Sequence, residues 1–235
     1  MQNKKTRLNI EKIITESLKS SAEQKKEYYL FGKLLYLKDP FISSLNVQAT
    51  IETLESKIPE HLFAEVDEIL VGDFDFLHER SIEAAYKDGA IYITNQIQTE
   101  DDLVENILHE ISHSLEYPYG QMIYGDMKIH SEFLGKRKRL ESILRAEGYD
   151  TTDYDFSSVE YEETLDAFFL SEVGYPALNN LIMGLFVSPY AATSLKEYWA
   201  VGFEDYFIED REYLQKVSPQ LFNKIEGVIT YEDLY

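Results

Sequence analysis

The stretch IYITNQIQTEDDLVENILHEISHSLE, residues 91–116, decides how this chain is read. It begins as a strand, Ala90-Ile91-Tyr92-Ile93-Thr94, and passes through a polar connector into a helical pattern. Leu103, Ile107, Ile111 and Leu115 recur every fourth residue and form one apolar stripe. Asp101 and Asp102 stand where acidic residues favour the positive end of a starting helix. At about 100° per residue, His109 and His113 fall about 200 to 240° round from Ile107, on a face of their own. Imidazoles at i and i+4 lie one above the other, so both can hold one metal ion from the same side.

The segment Leu108-His109-Glu110-Ile111-Ser112-His113 therefore matches H-E-x-x-H, a zinc-site pattern. Glu110 is placed to hydrogen-bond a water on that metal. Zinc lowers the pKa of such a water to about 7, so the carboxylate can take its proton at neutral pH. One Zn²⁺ is the expected cofactor.

Working outward, Lys87-Asp88-Gly89 separates Ile82–Tyr86 from Ala90–Thr94, a hairpin signal because glycine supplies the positive φ of a tight turn. Val66 to Gly72 reads as another strand, and Ala90–Thr94 as an edge strand able to pair with an extended peptide. Before them, residues 7–37 carry leucines and isoleucines at helical spacing, and a short helix is expected over about 48–57. After them the spacing predicts helices over 130–147, 159–185, 194–210 and 218–227. The expected fold is α+β and zincin-like, a small mixed sheet with an active-site helix and a mainly helical C-terminal half. Residues 1–58 are expected to form a helical segment packed on the core. Residues 59–235 would then be the catalytic domain, with a helical insertion at about 120–185.

Composition narrows the function classes. A formal net charge of -21 repels nucleic-acid backbones and anionic membranes, so neither partner is expected. The absence of cysteine forces any metal site onto His, Asp and Glu. The N-terminus has a basic start but no apolar region or cleavage site, so no signal peptide is expected. Cytoplasmic is the default location, leaderless export aside. Lys136-Arg137-Lys138-Arg139 reads as a solvated helix face.

Catalytic zinc takes three protein ligands and keeps one position open. A metzincin would place a histidine six residues after His113, but that position is Tyr119. Two carboxylates compete for the third place, Glu132 and Glu197.

The segment EYWAVGFEDYF, which starts at Glu197, resembles the EYFAEAFxxYF helix of the anthrax lethal factor-like peptidases, whose relatives include the clostridial Pro-Pro endopeptidases. The resemblance covers roughly residues 66–116 and 188–208, and it implies a metalloendopeptidase acting on a protein or peptide. It implies Glu197 as the third zinc ligand beside His109 and His113. It also implies Tyr190, seven residues earlier, as the donor to the oxyanion. Val201 departs from the family's second Glu, and Ser112 stands where glycine is common. Two other readings follow from the sequence: a zinc-stabilised binding protein with a degenerate site, and an acidic mimic of nucleic acid.

Overall fold

The computed structural model describes residues 26–231. Its first two elements correct the expected N-terminal helix. Residues 27–37 form a hairpin of β1 (Glu27–Leu30) and β2 (Lys33–Leu37). Phe31 and Gly32 have φ of 48° and 75°, the paired positive values of a two-residue hairpin turn, which closes Leu30 against Lys33. Leu35 and Leu37 are buried while Leu34 and Tyr36, which alternate with them, are less so, a period of two rather than 3.6. The part of the expected helix before residue 26 lies outside the described residues.

Next come α1 (Val47–Lys57), β3 (Glu68–Gly72), α2 (Asp75–Arg80), β4 (Ala84–Lys87) and β5 (Ala90–Thr94). The strands form one sheet in the order β1-β2-β3-β5-β4. β2, β3 and β5 run parallel, and an antiparallel strand closes each side. The sheet thus crosses the boundary expected near residue 58. The Asp88-Gly89 turn forms as expected, with φ of 52° and 84°. The edge assignment does not hold, since β5 lies between β3 and β4 and β4 is the terminal strand.

The long helix α3 (Glu100–Tyr124) follows. Its N-cap is Thr99, whose hydroxyl accepts from Asp102 N at 3.1 Å while the Asp102 carboxylate accepts from Thr99 N at 3.1 Å. Two otherwise orphaned N–H groups are satisfied by this reciprocal pair. Leu103, Ile107, Ile111 and Leu115 are all fully buried, together with Ile69, Val71, Ile91 and Ile93 from the sheet. Each such side chain contributes about 1.5–3 kcal/mol of transfer free energy. This stripe fixes the rotation of α3 and so the direction in which its histidines point.

The remaining elements are helical: α4 (Lys128–Ala146), α5 (Glu163–Ala167), a π-helical segment (Phe168–Gly174), α6 (Tyr175–Leu181), α7 (Leu195–Ile208), α8 (Arg211–Val217) and α9 (Pro219–Ile229). The helix expected over 159–185 is divided, because Gly174 takes φ of 79° and Pro176 starts the next helix. Asp210 separates α8 from α7 by accepting from the backbone N–H groups of Glu212 and Tyr213. At Gly202 a Cβ would lie 2.3 Å from Leu221 Cδ2, so glycine there lets α7 approach α9 closely. Among the described residues no helix is long and apolar enough to cross a membrane.

The basic run on α4 is not a solvated face throughout, because Lys136 and Arg137 are buried. Arg137 Nη1 donates to Ala192 O at 2.9 Å and Thr193 O at 3.1 Å, and Nη2 donates to Asp155 O at 2.9 Å. Its guanidinium also packs against the rings of Phe133 and Phe156. One arginine thus ties the chain that leads into α7 to the loop between α4 and α5. Replacing it by methionine strands those acceptors, and unfolding in urea is expected to show a loss of at least about 3 kcal/mol. A midpoint equal to that of the unaltered protein would show that the carbonyls find other partners.

Candidate metal centre

Two helices build the site. His109 and His113 stand on the inner face of α3, and Glu197 stands in the first turn of α7. The start of α7 is set by Ser194, whose hydroxyl accepts from Glu197 N at 3.1 Å. Serine followed three residues later by glutamate is the pattern of a reciprocal cap. Here the Glu197 carboxylate instead reaches across to the histidines. Trp199, fully buried, donates from Nε1 to Ser112 O at 3.0 Å and so holds α7 against the turn of α3 between the two imidazoles.

The Nε2 atoms of His109 and His113 are 3.3 Å apart. Glu197 Oε2 lies 3.1 Å from the first and 3.8 Å from the second. Ligands at 2.0–2.1 Å in a tetrahedron are separated by about 3.3 Å, so these three atoms lie at the corners of a metal's coordination shell. Among the described residues they are the group of three whose ligand atoms fall within 4.8 Å of one another. The charges agree with a cation between them. Burial alone would push both imidazoles down, but the carboxylates around them reverse this, and His109 is raised to about 10 and His113 to about 9. Glu197 would be raised by burial, yet its hydrogen bond to His109 and the nearby His113 hold it down to about 2. A metal ion fits the spacing.

No family model, curated protein or solved structure matches this chain. The site therefore rests on its own geometry.

Glu132, the competing third ligand, is placed elsewhere. It accepts from Tyr198 Oη at 2.9 Å, Gln220 N at 2.9 Å and Leu221 N at 3.1 Å, which makes it the cap of α9. Glu110 is buried and lies outside that group of three. Its Oε2 accepts from Tyr86 N at 2.5 Å. Burial pushes its carboxyl up, against the pull of the two histidines and the Tyr86 N–H. Thr94 N pairs with Glu83 O, so on the alternating antiparallel ladder the backbone groups of Ala84 and Tyr86 face outward from β4. Glu110 thus sits against the open edge of the sheet.

Tyr190 opens a short 3₁₀ turn, Tyr190–Ala192, and its ring centroid is 6.1 Å from that of His109. Burial and the nearby Glu197 raise its phenol, which keeps the hydroxyl protonated at neutral pH. The turn is held from behind by Arg137 on α4, through Ala192 O and Thr193 O.

Two further carboxylates at the site were missed in the sequence. His113 Nδ1 faces Glu116 Oε1 at 2.6 Å, and His109 Nδ1 faces Glu204 Oε2 at 3.3 Å. Their signal was positional: Glu116 lies three residues after His113, and Glu204 seven after Glu197, each on the face of the residue it accompanies.

Proposed function

We propose that this chain is a zinc-dependent metalloendopeptidase of zincin-like architecture. The observation that carries the reading is the division of labour on α3. His109 and His113 converge with Glu197, while Glu110, in the turn between them, stays out of that group and lies beside the sheet edge.

His109, His113 and Glu197 would hold the zinc, which would supply a Lewis acid for the scissile carbonyl and lower the pKa of the attacking water. An extended peptide adds to β4 as a further strand, pairing with the outward backbone groups of Ala84 and the Tyr86 carbonyl, while the Tyr86 N–H stays with Glu110. Its carbonyl then lies between Glu110 and Tyr190. Glu110 takes the proton of the attacking water as the new C–O bond forms, and its raised pKa suits the return of that proton to the leaving amine. Tyr190, held protonated, donates to the oxygen that gains charge. The surface charge of -21 favours basic peptides as the class that reaches the cleft fastest.

Tyr190→Phe removes one hydrogen-bond donor and keeps the ring. The expected result is a fall in kcat of about 10²- to 10³-fold with KM and metal content little changed. The direct test of the reading is metal analysis of the purified chain, followed by mass-spectrometric digestion of a proteome-derived peptide pool with and without chelator. Chelator-sensitive internal cleavage supports it. Bound metal with no cleavage of any peptide would leave a metal-stabilised binding protein in its place.

A further inference from the structure

Each imidazole has two ring nitrogens, and only one of them faces the metal position. The other nitrogen of each ring meets a carboxylate: His113 Nδ1 meets Glu116 at 2.6 Å, and His109 Nδ1 meets Glu204 at 3.3 Å. A carboxylate accepts and cannot donate, so it selects the tautomer with the proton on Nδ1 and leaves the Nε2 lone pair for a cation. The two contacts come from opposite helices. Glu116 belongs to α3 and also lies 3.7 Å from Lys196 Nζ on α7. Glu204 belongs to α7 and reaches across to His109 on α3.

The spacing on α7 makes this second contact specific. Seven residues are two turns less about 20°, so Glu197 and Glu204 share a face of the helix. His109 is held between them, with Nε2 at 3.1 Å from Glu197 and Nδ1 at 3.3 Å from Glu204. Val201, one turn after Glu197 on the same face, is buried and has no polar side-chain atom, so it cannot do this. Glu116 and Glu204 are both largely buried, with side chains 13% and 23% exposed, which keeps water from replacing them freely.

We propose that Glu116 and Glu204 are positioning residues of the metal centre, a crossed pair of carboxylates that aims both Nε2 atoms at the point shared with Glu197. The pair rests on the reading of His109, His113 and Glu197 as metal ligands, and goes beyond it by assigning the metal's affinity and geometry to two residues that do not touch it. Rotation or sliding of α7 would move a ligand and an orienting group together.

The experiment uses the full chain, freed of metal and titrated with Zn²⁺ against a chromophoric chelator, and separately loaded with Co²⁺ for visible absorption. Glu116→Ala and Glu204→Ala are each expected to weaken Zn²⁺ by about 10- to 100-fold and to shift the cobalt bands. Glu116→Gln and Glu204→Gln, whose amide oxygens still accept from Nδ1, are expected to recover most of the affinity. Unfolding midpoints measured in chelator should match the unaltered protein for all four. Unchanged affinity and cobalt spectrum in both alanine variants would overturn the proposal. So would affinity that falls only together with the chelator midpoint, since that marks two residues holding the fold rather than the rings. An unaltered chain that binds neither ion overturns this proposal and the peptidase reading together. Tight, carboxylate-dependent binding without peptide cleavage supports the positioning pair and removes only the peptidase.

Discussion

Glu110→Gln is expected to keep its metal and to lose two to four orders of magnitude in kcat/KM. The amide has the size and hydrogen-bonding reach of the carboxylate, so the Tyr86 N–H keeps an acceptor and α3 keeps its place beside β4. What the amide cannot do is take a proton from water and carry it to the leaving amine. His109, His113 and Glu197 are untouched, and metal content should stay at the level of the unaltered chain. Metal analysis and peptide-cleavage rates on the same preparation check both halves. Cleavage at an undiminished rate would remove Glu110 from the chemistry and the mechanism with it.

The second large effect separates two glutamates that compete in the sequence. Glu197→Ala leaves two imidazoles and no third ligand, and the variant is expected to come through gel filtration with little metal. Glu132→Ala should keep its metal and lose stability instead. Tyr198 Oη and the N–H groups of Gln220 and Leu221 would all lose their acceptor at the start of α9, a cost of about 2 to 4 kcal/mol. Metal content and urea midpoints measured on both variants form a two-by-two test. Metal lost from the Glu132 variant alone would move the third ligand to α4.

How much of this was legible depends on whether a residue's role is local. The α3 helix could be read because its stripe, its acidic first turn and its histidine spacing all lie within one segment. The Asp88-Gly89 hairpin could be read for the same reason. β1 and β2 were misread because Leu30, Leu34, Leu35 and Leu37 also satisfy a helical spacing. The decisive turn, Phe31-Gly32, puts a bulky residue in a left-handed conformation where Asn or Asp is commoner. The interior position of β5 depends on which strands pair across the sheet, and no local pattern encodes that.

At the site, Glu197 was reached through a resemblance in one helix rather than through its partners, which lie 84 and 88 residues earlier. Arg137 was hidden for a related reason. A run of four basic residues looks solvated until the carbonyls of Ala192, Thr193 and Asp155 are brought to it. Glu116 and Glu204 were visible as residues among many acidic ones. Only the fold shows which ring nitrogens they meet.

The convergence of α3 and α7 on one point has a further meaning for a chain with no cysteine. A metal held by His109, His113 and Glu197 is a cross-link between segments far apart in sequence, made of exchangeable bonds. It restrains the unfolded chain very little, because the three ligands come together only in the native fold. The ion therefore acts as a thermodynamic counterweight, and at a free concentration a thousandfold above Kd it adds about 4 kcal/mol to folding. Metal supply would then set how long the folded molecule survives.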